Sequence, residues 1–386
     1  MHASAPAPAR LPIVDILRGW ALLGVVLVNF AIFYTLGSAT RIPPGDTVSR
    51  ISKLLVQVFF QSKGWTLLAF LFGYGFSVLI ARLRARHPHP SRAFALRMFW
   101  LFVIAIANCA LYYGDVLKDY VLVGLVILAF QRIPARVALR LSLICLIAFP
   151  ALISWSRDLE LVNPVPEPEL SLYQSGNLFD VLRYGLVAGL RMSLAVTKYF
   201  DWDLVMLTCA FAGMYCQRSG FFETIETRRR QLRWLCLGAL AFAIASAALR
   251  GADSAFGWHL LAHYDIEMWF LLGQMVCFAA AIGWLYVAGR CRRVFEWMRQ
   301  VGRMTLTNYM AQNLLGLLIF SGFGLGLLHR MPYSMHVAMA LMVFAAQILF
   351  SRWWLAKHRV GPVEWMWRRL ASQGTPAAGR TPQATP

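Results

Sequence analysis

Two aspartates four residues apart, Asp115 and Asp119, sit in the stretch Asn108-Cys109-Ala-Leu-Tyr112-Tyr113-Gly114-Asp115-Val-Leu-Lys118-Asp119-Tyr120. On a helix that spacing stacks both carboxylates on one face. Carboxylates that close pass a proton readily, as a general acid or base must. The structural reading competes. Gly-Asp ahead of an apolar run is a helix N-cap signal, with Asp115 accepting first-turn N–H groups and Lys118 neutralising the pair. A second polar set lies in Leu11–Tyr34, where Asp15, Arg18 and Asn29 share a face with Leu22 and Val25. Charged groups at membrane depth cost roughly 2.5–3.5 kcal/mol each on insertion scales, so this face points to protein or to a water-filled cavity. A third set opens Gly302-Arg303-Met-Thr305-Leu-Thr307-Asn308-Tyr309-Met-Ala-Gln312-Asn313. Thr305, Asn308 and Gln312 share one face there, either as glue between helices or as part of a site. Gln347 and Ser351, four apart, read the same way.

Three further features are weaker. Lys63 falls near the outer boundary of an apolar segment and either snorkels or enters a cavity. His259 and His263 are four apart, with Asp265 and Glu267 behind. A helical HxxxH could hold a divalent cation, but no HExxH is present, so an interfacial pair is preferred and no metal is expected. Gly322-Phe-Gly324-Leu-Gly326 is no dinucleotide fingerprint, because no strand precedes it.

Membrane helices must carry these groups. The chain has 386 residues, 59% hydrophobic and 14% charged, with a mean hydropathy of +0.57. A soluble domain has about 45–50% apolar and about 25% charged residues. Leu11–Tyr34 alone makes about 36 Å of helix, enough to cross a ~30 Å hydrocarbon core. Similar segments recur at 54–81, 98–113, 116–131, 138–155, 203–217, 234–249, 266–288, 305–328 and 335–355. The expected fold is all-α: a polytopic integral membrane helix bundle of about ten transmembrane helices. Residues 11–370 form its single domain, with 1–10 and 371–386 disordered. Arginines concentrate in alternate loops, which puts both termini in the cytoplasm. Residues 156–202 then form an external loop whose second half, 178–200, is an interfacial amphipathic helix.

The net charge of +19 does not imply nucleic acid. Its basic residues lie in short runs between apolar segments, where orientation and anionic lipid account for them. Seven cysteines without a CxxC give neither a disulfide framework nor a zinc spacing. Cys209 and Cys216 share a helical face and read as packing. In Gly361-Pro362-Val-Glu364-Trp365-Met-Trp367-Arg368-Arg369 the tryptophans suit the headgroup layer, the arginines suit anionic lipid, and Glu364 can pair with Arg368.

Five blocks carry a resemblance: Asp15-Ile-Leu-Arg18 through Asn29, Leu71-Phe-Gly73-Tyr-Gly75, Gly114-Asp115 through Tyr120, Gly302-Arg303 through Tyr309, and Gly361-Pro362 through Arg368. From Asp15 to about Leu370 the chain resembles the YeiB-like family of bacterial inner-membrane proteins, which contain the domain of unknown function 418. That family is distantly similar to membrane acyltransferases, which move acyl groups onto acceptors using membrane-embedded Arg and His around an acyl-CoA channel. The resemblance thus implies acyl-CoA as donor substrate and no firm cofactor. The family pattern places His where this chain has Asn108, and asparagine is no general base.

The leading expectation is an inner-membrane acyltransferase with Asp115, Asp119 and Arg18 catalytic and with Asn29, Lys63, Arg303, Asn308 and Gln312 binding substrate. A secondary transporter using the intramembrane polar groups is the alternative. A non-catalytic assembly protein, its polar groups serving as glue, is the third.

Overall fold

The computed structural model describes residues 10–35, 42–158, 170–194, 200–259 and 261–373. Most of the two expected disordered termini, and the acidic, proline-rich part of the long loop, lie outside the described residues.

The described residues form helices without a strand. In chain order they are α1 (Pro12–Thr35), α2 (Thr47–Phe59), α3 (Lys63–Arg84), α4 (Pro90–Leu111), α5 (Leu117–Ala129), α6 (Ala135–Asp158), α7 (Leu170–Gln174), α8 (Leu178–Leu194) and α9 (Phe200–Arg218). There follow α10 (Arg229–Phe256), α11 (Glu267–Val287), α12 (Arg292–Arg303), α13 (Thr305–Phe320), α14 (Tyr333–Lys357) and α15 (Pro362–Gln373).

Helix α1 is the axis of the bundle. It packs against α3, α11, α12, α13 and α14, and Leu17, Leu22, Val26 and Phe30 are buried. Because it is enclosed by protein, its polar residues can be paired there. Helix α10 is the opposite case: Trp234, Leu237, Leu240 and Ile244 are exposed. An outward apolar face on a helix of this length suits a membrane-crossing segment. Helices α3 and α9 cross closely because Gly73 meets the Ala210 backbone and Gly213 meets the Phe70 backbone, where no Cβ would fit.

Among the described residues, seven segments are long and apolar enough to cross a membrane: Pro12–Ile32, Thr47–Arg84, Pro90–Leu111, Ala135–Ser156, Ile225–Phe256, Glu267–Val287 and Tyr333–Lys357. The expected spans 116–131, 203–217 and 305–328 are not among them. Helix α5 has 13 residues and α13 has 16. Helix α9 is long enough at 19 residues but carries Asp201, Asp203 and Arg218 at its ends. The expected span 54–81 is broken at Phe60–Ser62, where Ser62 is left-handed. Ahead of that break, α2 lays Ser49 and Val56 inward and leaves Ile51, Leu54, Leu55 and Val58 exposed.

Of the helix expected over 178–200, residues 178–194 form α8, which packs on α4, with Gly185 and Gly189 against Cys109 and Ala110. His259 has φ +55° and lies in a turn between α10 and α11. Without a helix there, the four-residue spacing does not align the two imidazoles.

Candidate functional site

The α4–α5 hairpin places the central group. Thirteen residues of α5 rise about 20 Å, short of a ~30 Å hydrocarbon core. Its turn is therefore non-helical backbone enclosed by protein, the only setting in which lipid tolerates it. Asp115 lies in this turn and is 1% exposed.

Asn108 Nδ2 donates to Asp115 Oδ1 at 2.9 Å, and the Tyr309 hydroxyl donates to the same oxygen. The Cys109 thiol faces Oδ2 at 3.9 Å. The backbone N–H of Leu117 also reaches the carboxylate. The expected capping is thus realised in part, although Val116 occupies the N-cap position. These hydrogen-bonding partners are all neutral. Lys118 spends its ammonium on Asp119, at 2.7 and 2.9 Å. The two carboxylates are therefore partnered differently: Lys118 balances Asp119, while Asp115 has no ion-pair partner among the described residues.

One turn beyond Tyr309, α13 presents Gln312 and Asn313 on the same face. Gln312 is 1% exposed, and neither of its amide atoms has a hydrogen-bond partner among the described residues. Asn313 Oδ1 accepts from Asn29 Nδ2 at 3.4 Å, leaving Asn313 Nδ2 unpartnered. Asn108 Oδ1 is unpartnered too. Buried polar groups in native proteins are normally satisfied, so these amide atoms stand out; of the three side chains, Asn108 is the one that touches the Asp115 carboxylate.

Other sequence candidates stand elsewhere. Asn308 is tied into the bundle: its Nδ2 donates to Val301 O at 3.2 Å and Ser351 Oγ at 2.9 Å, and its backbone carbonyl accepts from Gln347 Nε2 at 2.7 Å, while its Oδ1 has no partner among the described residues. Lys63 is 5% exposed, so it does not snorkel; its Nζ donates to Gln61 O at 3.3 Å. Arg18 lies at the opposite end of α1 from Asn29, 3.1 Å from Asp15, which Arg10 also binds. Arg303 joins that end, because α12 packs along α1 with Gly302 against the Asp15 backbone. Burial, then the neighbouring Arg10 and Arg299 charges, hold the Arg303 guanidinium below its usual pKa.

The fold therefore brings Asn29, Gln312 and Asp115 to neighbouring elements, leaves Arg18 and Arg303 in a basic cluster at one end, and uses Asn308 as glue. Sequence reasoning missed Tyr309, Asn313 and Glu364. Tyr309 and Asn313 sat inside a motif already singled out, but nothing local shows which helix a side chain meets. The Glu364–Arg368 pairing expected from spacing gives way to a contact with α13. Glu364 accepts the N–H groups of Leu306 and Thr307 at 2.7 and 3.2 Å and the Thr307 hydroxyl at 2.5 Å.

Comparison with known proteins agrees with the resemblance. Residues 216–373 match the family model described as protein of unknown function (DUF418). Uncharacterized protein YxaH of Bacillus subtilis (strain 168) is 27% identical over 93% of each chain. An uncharacterized 39.9 kDa protein in the amylase 3′ region of Bacillus acidopullulyticus is 26% identical over 94% of this chain and 93% of its own. Uncharacterized protein YeiB of Escherichia coli (strain K12) is 28% identical over 95% and 98%. No solved structure matches the chain significantly. The chain thus carries a DUF418 match over residues 216–373 and is similar along nearly its whole length to YxaH and YeiB, as the resemblance implies.

Proposed function

We propose that this chain is a multi-pass protein of the bacterial inner membrane that transfers an acyl group from acyl-CoA to an acceptor, with Asp115 as general base. The observation that carries the reading is a buried carboxylate held by neutral donors, one of them Asn108, whose own carbonyl oxygen has no partner among the described residues. In the transfer, Asp115 takes the proton of an acceptor hydroxyl or amine as that atom attacks the thioester carbon. The C–S bond then breaks, and the leaving thiolate takes up the proton. Asn108, standing where the family has His, orients the carboxylate instead of replacing it. The basic cluster of Arg10, Arg18 and Arg303 suits the phosphates of the donor.

The arrangement of turns supports ten crossings with both termini on the basic side. Arg84 and Arg218 both donate to Gln131 O, at 2.9 and 3.0 Å, which gathers the ends of α3, α5 and α9. Arg303 reaches Arg359 O at 3.4 Å, and Trp367 Nε1 reaches Arg97 O at 2.9 Å. On this view α5, α9 and α13 cross inside the bundle, where neighbouring helices replace lipid.

Purified protein in nanodiscs, incubated with labelled short-chain acyl-CoAs and pooled acceptors, tests the activity. Transfer by the parent but not by well-folded Asp115→Asn or Arg18→Ala is the expected result. Absence of transfer, together with absence of any CoA-dependent rise in Tm, would overturn it. Transporters favour discontinuous helices around polar sites, and the α4–α5 turn and the α12–α13 break are of that kind. Gradient-driven solute uptake by the same nanodisc-tested protein in vesicles would establish that second reading.

A further inference from the structure

Helix α15 lies on the outside of the bundle, yet it touches both elements that hold Asp115. Trp367 Nε1 donates to Arg97 O of α4 at 2.9 Å. At the other contact, the Glu364 carboxylate takes two free N–H groups and a hydroxyl from the first turn of α13. The Val363 N–H donates to the same Thr307 hydroxyl oxygen at 3.1 Å. A helix start with free N–H groups carries partial positive charge, so an anionic acceptor there is favoured twice over. Gly361 lets the contact close: a Cβ there would meet Thr307 Oγ1 at 2.6 Å and overlap the Glu364 carboxylate. The sequence of α13 has no cap of its own, since Met304 holds the N-cap position without a side-chain bond. Tyr309 follows Thr307 by two residues, and its hydroxyl ends on Asp115.

We propose that Glu364 is a positioning residue for Asp115: by capping α13 from α15 it sets the rotation and height at which Tyr309 reaches the carboxylate. Its catalytic meaning rests on the reading of Asp115 as general base, but the mechanical link can be tested without acyl transfer. The polar groups around Asp115 are Asn108 and Cys109 of α4, Tyr112 of the turn, Lys118, Asp119 and Tyr120 of α5, and Tyr309 of α13. Glu364 touches none of these side chains, so its influence must pass through the α13 backbone.

The sign of the effect separates positioning from simple charge. Removing a distant negative charge makes Asp115 easier to ionise. Losing the Tyr309 hydrogen bond, which favours the carboxylate, makes it harder. Carboxyl infrared spectroscopy of the full-length protein in nanodiscs, with the Asp115 band assigned by its loss in Asp115→Asn, reads the difference directly. In Glu364→Ala the Asp115 titration should move up by about one pH unit, the worth of one hydrogen bond to a charged group. Glu364→Gln retains an acceptor for the two N–H groups and should restore most of the parent titration. In a Tyr309→Phe background, Glu364→Ala should produce no further upward shift. Trp367→Phe, which cuts the other α15 contact, should lower Tm without moving the titration. A downward or absent shift in a folded Glu364→Ala variant, or equal shifts with and without Tyr309, would overturn the proposal. If the parent transfers no acyl group but the titration follows this pattern, the enzyme reading falls and the positioning link stands.

Discussion

At the residue scale, Asp115 is the one sequence candidate whose surroundings suit proton transfer. Asparagine keeps an acceptor oxygen for Asn108 and Tyr309 but has no carboxylate to take a proton. Asp115→Asn should therefore leave Tm within a few degrees of the parent while removing any transfer or proton-coupled activity, as read by thermal unfolding and by the nanodisc assay. Asn308 is the contrasting case. Its amide ties α13 to Ser351 of α14 and to the Val301 carbonyl. Asn308→Ala should cost about 0.6–2 kcal/mol, the range for hydrogen bonds between membrane helices, and should leave the Asp115 titration in place. A motif read from the chain lists both residues with equal weight. Their separation depends on contacts over sequence distances of 194 and 43 residues, which no local pattern encodes.

At the element scale, the apolar segments made the long helices legible, but not where they stop, nor the polar and amphipathic helices α12 and α15, nor most of α2. The break between α2 and α3 falls at the short polar stretch Gln61-Ser62-Lys63 inside the expected span 54–81, and the packing of α2 on α14, with Ser49 bonded to Ser334, is seen only in the fold. Helix packing also depends on small residues whose partners are remote. Gly213→Ala should push α9 away from the Phe70 backbone and lower the unfolding midpoint measurably. Gly238→Ala on lipid-facing α10 meets nothing within 4 Å and should be neutral or slightly stabilising, because alanine is the better helix former. Thermal unfolding of the two variants in one detergent gives the comparison.

At the scale of the whole molecule, the arginine distribution and the count of crossings make one prediction. Reporter fusions after Arg86, Arg136, Arg218, Arg293 and at the C-terminus should all report the cytoplasmic side, and a fusion at Tyr113 should report a protected site. A C-terminus on the opposite side from the N-terminus would mean that one of α5, α9 or α13 fails to cross, leaving an odd number of spans. This test bears on the orientation alone and leaves the chemistry at Asp115 untouched.

By itself the sequence determined that the chain is helical, with apolar segments long enough to cross a membrane, and that its polar residues fall into a few short blocks. The reason is that apolar composition and helical periodicity are local properties, and the cost of placing polar groups in lipid holds for any packing. Tertiary structure alone decided that Lys118 goes to Asp119, that Asp115 is left to Tyr309 and Asn108, that the Gln312 amide is left without a partner among the described residues while the Asn308 Nδ2 bonds Val301 and Ser351, and that Glu364 caps a helix rather than pairing with Arg368. Each choice turns on which of several equivalent polar groups comes within hydrogen-bonding distance, and in a bundle that is set by helix rotation and depth to within an ångström or two.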